Sequence, residues 1–247
     1  MQKTCIIIPC YNEEKRLSVK TFVDFLKANK DIDFCFVNDG SQDNTSKVLQ
    51  DIKLNSPDQV IILDFDKNTG KASAIRAGVL YIHQFTYKFV GYWDADLSTP
   101  LIEILNMKSI LETNNELIMV LGSRVKRLGA TIERKISRHF FGRIFSTFSS
   151  LILQLPVYDT QCGAKLFRSE VIRYLFEHPF LTNWLFDVEL LARLRNNLGI
   201  HKTLQSCYEY PLSVWKDIGK SKLSFFDIIK VPYLLIKIHI IYNYFKN

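Results

Sequence analysis

Five times in the first half of the chain a short apolar run ends in a polar cluster and gives way to a segment of helical period. The runs are 4–8, 34–37, 59–63, 89–93 and 117–121, and helical periods fall near 13–29, 43–54, 71–85 and 100–113. The third period is the clearest: Ala72, Ile75, Ala77, Val79 and Leu80 recur after a Thr69-Gly70 break. Short apolar strands separated by helices make βαβ units, which predicts an α/β fold with a mainly parallel twisted sheet flanked by helices. In open sheets of this kind ligands bind beyond the carboxyl ends of the strands.

That is where the polar residues gather. The first run is followed by Pro9-Cys10-Tyr11-Asn12-Glu13-Glu14, the second by Asn38-Asp39-Gly40-Ser41-Gln42-Asp43, the third by Asp66-Lys67-Asn68-Thr69-Gly70-Lys71, the fourth by Asp94-Ala95-Asp96, and the fifth by Gly122-Ser123-Arg124. One such cluster is ordinary turn and cap chemistry. Five at one edge of one sheet point to a binding site. No G-x-G-x-x-G follows the first run, which argues against a dinucleotide enzyme.

Asp94 and Asp96 are the sharpest chemical signal. In an extended segment residues i and i+2 share a side. Two carboxylates on one side repel unless a cation joins them, and hard oxygen ligands select Mg²⁺ or Mn²⁺, with substrate phosphates completing the coordination. The five histidines are scattered without zinc-ligand spacing.

The formal net charge is +7, which implies an anionic partner. Residues 124–143 carry Arg124, Lys126, Arg127, Arg134, Lys135, Arg138 and Arg143 against Glu133 alone, so seven cations and one anion account for six of the seven net charges. This segment begins at the end of the fifth run, which points to a phosphate bound by guanidinium forks and not to nucleic acid. The five cysteines form no C-x-x-C pair, and three lie in strand-like runs, as reduced core thiols do. No run has the roughly 20 uninterrupted apolar residues of a membrane span, no signal peptide is evident, and no internal repeat is found.

Together these motifs resemble family 2 glycosyltransferases of the GT-A fold: Ile-Pro-Cys-Tyr-Asn-Glu-Glu (8–14), Val-Asn-Asp-Gly-Ser-Gln-Asp-Asn-Thr (37–45), Asn-Thr-Gly-Lys-Ala-Ser-Ala-Ile-Arg-Ala-Gly (68–78) and Asp-Ala-Asp (94–96). In the second half, Asp-Thr-Gln-Cys-Gly-Ala-Lys-Leu-Phe-Arg (159–168), Trp-Leu-Phe-Asp-Val-Glu-Leu-Leu (184–191) and Gly-Lys-Ser-Lys-Leu (219–223) are similar to the dolichyl-phosphate β-glucosyltransferase branch and its polyprenyl-phosphate relatives. The resemblance covers roughly residues 3 to 225. It implies that Asp39 bonds the nucleobase, that Pro9, Tyr11 and Glu13 line base and ribose, that Lys71 or Arg76 approaches the nucleotide, and that Asp94 and Asp96 hold the donor diphosphate through Mg²⁺ or Mn²⁺. The same resemblance implies that Asp159 falls near the reacting centre, as a base or a sugar-positioning group. Leu97-Ser98-Thr99-Pro100 replaces the Gln that mannosyltransferases carry after the pair, which favours the glucosyl branch, and Ala164 stands where a Phe is usual.

The expected activity is inverting, metal-dependent transfer of glucose from UDP-glucose to a polyprenyl phosphate, with GDP-mannose as the alternative donor. A catalytically silent nucleotide-sugar-binding or membrane scaffold protein is the reading from another class. Asp96, Arg124 and Asp159 are the expected catalytic residues. Arg124, Arg134 and Arg138, with Lys222 of the 219–223 motif, are the candidates for the acceptor phosphate. Arg134 and Arg138, four apart, would share a helix face.

The apolar stretch Phe140, Phe141, Ile144, Phe145, Phe148, Leu151 and Ile152 reads either as a core helix or as an interfacial one. In the tail, Ser224-Phe225-Phe226-Asp227 resembles a capping box. Lys230 and Lys237 beside Leu234, Leu235, Ile238 and Ile241 suit a helix lying on a membrane, with docking on the protein's own core or on a homo-oligomer partner as the competitor. The expected organisation is a catalytic domain over 1–223 and a membrane-associating amphipathic tail over 224–247, peripheral at the cytoplasmic face of a membrane.

Overall fold

The computed structural model describes residues 3–133, 136–218 and 225–244, with the side chains of 136–141, 225–229 and 244 outside that description. The chain begins with β1 (Thr4–Cys10), α1 (Val19–Ala28), β2 (Ile32–Asp39), α2 (Thr45–Asn55), β3 (Val60–Phe65), α3 (Lys71–Ile82), β4 (Phe89–Trp93), α4 (Ile102–Thr113) and β5 (Met119–Ser123). All five expected strands and all four expected helices are present. Helix α1 starts later than the periodicity suggests, because the Ser18 hydroxyl caps it by accepting from the Thr21 N–H at 3.3 Å.

The second half adds β6 (Thr131–Glu133), α5 (Ile136–Leu153), β7 (Ala164–Arg168), a 3₁₀ turn (Ser169–Val171), α6 (Ile172–Phe176), α7 (Phe186–Leu198), α8 (Ile200–Ser206), β8 (Cys207–Pro211), β9 (Val214–Lys216) and α9 (Phe225–Tyr244). Among the described residues seven strands form the main sheet in the order β3-β2-β1-β4-β7-β5-β8, and β6 pairs with β9 in a small second sheet. The main sheet is parallel except for β7, which runs antiparallel between β4 and β5.

Side chains alternate across each strand, so both faces are packed. Ile6, Ile8, Phe34 and Phe36 join α1, α2 and α4 on one face, through Phe22, Leu26, Leu49, Ile52, Ile104 and Met107. Cys5, Ile7, Cys35 and Val37 join α3, α6 and α7 on the other, through Ile75, Val79, Leu175, Val188 and Leu191. No disulfide forms among Cys5, Cys10, Cys35, Cys162 and Cys207, which are all reduced thiols. Burial pushes the Cys35 thiol up to about 12 and the Cys162 thiol up to about 11, so both stay protonated.

Helix α9 runs through Pro232 and packs against α5 and α7. Leu235 and Ile238 are buried in the core shared with α7, while Tyr233, Ile236 and Ile240 are exposed. Helix α5 likewise buries Ser149 and Leu153 but leaves Ile144, Phe148 and Leu151 exposed. No helix among the described residues is long and apolar enough to cross a membrane. The proposed cap at Ser224, the 219–223 motif with Lys222, Arg134, and the side chains of Arg138, Phe140 and Phe141 lie outside the described residues.

Candidate active site

The chain leaves β1 toward β2 and β3, then returns to place β4 on the other side of β1. This reversal opens a crevice at the carboxyl ends of β1 and β4, where ligands bind in open α/β sheets. The loops after β1 and β2 are joined there. The Asn12 N–H donates to Ser41 Oγ at 3.0 Å, the Gln42 N–H to Asn12 Oδ1 at 2.8 Å, and the Glu13 N–H to Thr45 Oγ1 at 2.8 Å. Asn12 sits at φ 53°, in the left-handed region that Asn tolerates better than most residues. Pro9 and Tyr11 are half-buried at this edge, and Glu13 is buried.

Asp39, at the end of β2, is 2% exposed and holds the loop before α3. Its Oδ1 accepts from the Thr69 N–H and hydroxyl, each at 2.7 Å, and its Oδ2 from the Gly70 N–H at 2.8 Å. Gly70 adopts φ 92°, and a Cβ there would stand 2.7 Å from the Asn183 side chain. Lys71 is thereby fixed at the first position of α3, with its ammonium turned to the carboxylate pair.

Lys71 Nζ donates to Asp94 Oδ1 at 2.6 Å. Burial pulls this ammonium's pKa down, but Asp94, Asp187 and Asp96 outweigh that and raise it above the ordinary lysine value. The backbone here is not extended: Ala95 and Asp96 lie in a turn in which the Leu97 N–H donates to the Asp94 carbonyl at 3.3 Å, so the shared side expected from i, i+2 spacing in an extended segment does not apply. Asp96 accepts from the Ser98 N–H at 3.0 Å, and Arg16 Nη1 lies 3.7 Å from its Oδ2. Arg16 also bonds Glu13. Between carboxylates and helix α4, Leu97 is held at φ 56°, a conformation that costs a branched side chain on the order of 1 kcal/mol and is found at functional sites. Arg76, the alternative nucleotide contact, instead donates to the Glu177 carbonyl after α6.

The antiparallel register of β7 brings the second half to this edge. Trp93 pairs with Ala164, so the following Asp94 faces Gly163. A Cβ at Gly163 would stand 1.8 Å from Asp94 Oδ2. Glycine is thus required for the backbone to pass against the carboxylate. Four residues earlier, Asp159 receives a forked pair of bonds from Arg124, Nε at 2.6 Å and Nη2 at 2.7 Å, and the Arg124 N–H at 3.1 Å. Burial pulls the Arg124 guanidinium down, yet Asp159, with a contribution from Asp94, raises it well above its usual value. The guanidinium also stands over the Trp215 ring, 5.3 Å from its centroid.

Several residues that complete this edge are not among the expected site residues, although Lys165 and Asp187 fall inside the 159–168 and 184–191 motifs. Glu209 of β8 accepts the Tyr158 N–H at 2.8 Å and the Asp159 N–H at 2.6 Å, which sets the loop that presents Asp159. Lys165, fully buried in β7, donates to the Thr160 and Cys162 carbonyls at 2.9 and 2.8 Å and to Asp187 Oδ1 at 2.6 Å. The Tyr92 hydroxyl donates to the same Asp187 oxygen. A lysine inside the apolar Ala-Lys-Leu-Phe strand and an aspartate opening an apolar helix were the available signals for this pair.

The donor set suits a hard divalent cation. Asp94 and Asp96 offer carboxylate oxygens from one turn at the end of β4, with an ammonium already lodged against Asp94. Among the described residues no group of three or more His, Cys, Asp and Glu converges. A cation held here would draw its other ligands from phosphate oxygens and water, as Mg²⁺ commonly does.

A family model, glycosyl transferase family 2, matches residues 5–176. A dolichyl-phosphate beta-glucosyltransferase of Trichomonas vaginalis is 32% identical over 97% of this chain and 72% of its own length. The dolichyl-phosphate beta-glucosyltransferase of Saccharomyces cerevisiae is 31% identical over 96% of this chain and 74% of its own. Among solved structures, glucosyl-3-phosphoglycerate synthase of Mycobacterium tuberculosis with Mn²⁺, UDP and glucosyl-3-phosphoglycerate superposes with a TM-score of 0.70 at 15% identity, over 98% of this chain and 80% of that one. The fold is therefore of the GT-A type, and with carboxylates, cations and sheet edge arranged as described, the chain belongs to glycosyl transferase family 2 and is a glycosyltransferase.

Proposed function

We propose that the chain transfers glucose from UDP-glucose to a polyprenyl phosphate, inverting the anomeric centre to give a β-linked lipid-phosphate sugar. One observation carries the reading: the β4–β7 register brings Asp94 of the nucleotide half against Gly163, in the loop that bears Asp159 and its Arg124 partner. Relatives named dolichyl-phosphate beta-glucosyltransferases, aligned over most of the chain, support the choice of sugar and acceptor.

In this reading Pro9, Tyr11, Glu13 and Asp39 line the nucleoside. Asp39 can do so while holding the 66–70 loop, because each carboxylate oxygen accepts more than one hydrogen bond. Lys71 meets the diphosphate, which Asp94 and Asp96 bind through Mg²⁺ or Mn²⁺. The metal supplies neutralisation of the charge that grows on the leaving nucleoside diphosphate.

A phosphate monoester near pH 7 is largely dianionic, with a second pKa of about 6. Its oxygen attacks the anomeric carbon as the bond from that carbon to the diphosphate breaks, and no proton need be removed. The protein's task is to hold two anions together. Arg124 serves the acceptor, oriented by Asp159, with Arg134, Arg138 and Lys222 assigned to the same phosphate. The exposed apolar rows of α5 and α9 suit contact with lipid at the headgroup boundary, peripheral to the cytoplasmic face of a membrane.

The test is incubation with radiolabelled UDP-glucose, GDP-mannose or UDP-galactose, each with polyprenyl phosphate and Mg²⁺, followed by lipid extraction. Label from UDP-glucose alone is the expected result. Label from GDP-mannose shifts the donor, and no labelled lipid from any donor overturns the reading.

A further inference from the structure

The metal pair already carries a cation. Lys71 Nζ lies 2.6 Å from Asp94 Oδ1, and Arg16 Nη1 lies 3.7 Å from Asp96 Oδ2. A divalent ion bound by these carboxylates needs the same oxygens, and an ammonium left in place would repel it at close range. The backbone of Lys71 is fixed by the three hydrogen bonds from residues 69 and 70 to Asp39. Its side chain is 39% exposed and flexible. Rotation about that side chain can therefore clear Asp94 without moving the sheet edge.

Resting on the glycosyl-transfer reading above, we propose that Lys71 is the resident counter-ion of the metal pair. It leaves Asp94 when a divalent cation seats, and the donor diphosphate is the anion that receives it. Arg16 plays the same part at Asp96, more weakly, because its approach is longer and Glu13 holds its other terminal nitrogen. A bare metal ion must displace Lys71 with nothing to take up the released charge, whereas a metal–nucleotide pair brings the replacement anion with it. The site thus selects the metal–donor complex over free metal.

The experiment measures Mn²⁺ binding by electron paramagnetic resonance for the wild type and Lys71→Met, without and with UDP. The Lys71–Asp94 pair is half-exposed, so its loss corresponds to a modest energy. Lys71→Met should bind Mn²⁺ alone about three- to tenfold tighter, while its affinity for UDP at saturating Mn²⁺ falls several-fold. Lys71→Gln should repeat this crossed pattern, and Lys71→Arg should return both affinities toward wild type. A merely structural role would move both affinities the same way. Unchanged or weaker binding of Mn²⁺ alone, in a Lys71→Met or Lys71→Gln protein that melts like the wild type, overturns the counter-ion role and leaves the transfer reading standing. If the wild type binds no Mn²⁺ even with UDP, the transfer reading fails and the counter-ion role with it.

Discussion

The two halves of the sheet use charge in opposite ways. In β1–β4 the acidic residues of the site stand at strand ends, on loops, with Asp94 and Asp96 still partly open at the crevice. In the second half charges sit inside the fold. Lys165 joins β7 to α7, Arg168 donates to the Leu111, Leu117 and Asn114 carbonyls, and Arg193 pairs with Glu189 while donating to the Leu175, His178 and Pro179 carbonyls. The first region keeps these charges at the rim of the crevice, and the second is assembled by its own. Removing one partner of a buried pair leaves an uncompensated charge, so that half should be fragile where the crevice is not.

The largest expected effect follows directly. Arg193→Met removes the counter-charge of the fully buried Glu189, leaving it only the Tyr242 hydroxyl and the Leu181 N–H, and takes the donor from three carbonyls. A loss of about 3–5 kcal/mol in unfolding free energy is expected, read by urea denaturation, and a loss below about 1 kcal/mol would erase the contrast between the halves. Asp94→Asn should do the reverse: transfer falls on the order of 10²–10³-fold while the urea midpoint stays put.

Gly163→Ala tests the seam between the regions. The added methyl collides with Asp94, so transfer should fall about 10–100-fold as the carboxylate is displaced, with the metal required for half-maximal rate rising in parallel. The smallest effect is assigned to Glu209→Ala, which frees the Tyr158 and Asp159 N–H groups. It should cost about 1–2 kcal/mol of stability and a few-fold in rate, the rate loss confined to the acceptor-dependent step.

The same contrast explains what was legible beforehand. Strands such as Thr4–Cys10 and Phe89–Trp93 are buried on both faces, so their apolar runs announce themselves, and the site residues follow at once in sequence. The carboxylate pair was legible for that reason, as was Arg124. The antiparallel insertion of β7 was not, because pairing partners more than 70 residues apart leave no local signal. Lys165, Asp187 and Glu209 were missed because a buried charge has the same letter as a solvated one, and only its partners distinguish them. Residues 8–14 and 37–45 were legible as two separate polar clusters, and the hydrogen bonds between Asn12, Ser41 and Gln42 that join them have no local signal. The tail pattern suggested a surface helix, and in α9 one side packs into the core while Tyr233, Ile236 and Ile240 remain exposed.

Every role proposed for the Asp94/Asp96 edge depends on sugar transfer to a lipid phosphate there. The most direct measurement is chloroform-extractable label formed from UDP-[¹⁴C]glucose and polyprenyl phosphate with Mg²⁺, by the wild type and by an Asp94→Asn/Asp96→Asn double variant of matched stability. Labelled lipid from the wild type that chelation abolishes, and none from the variant, is the predicted result. No lipid label from the wild type, or equal label from both proteins, would contradict it.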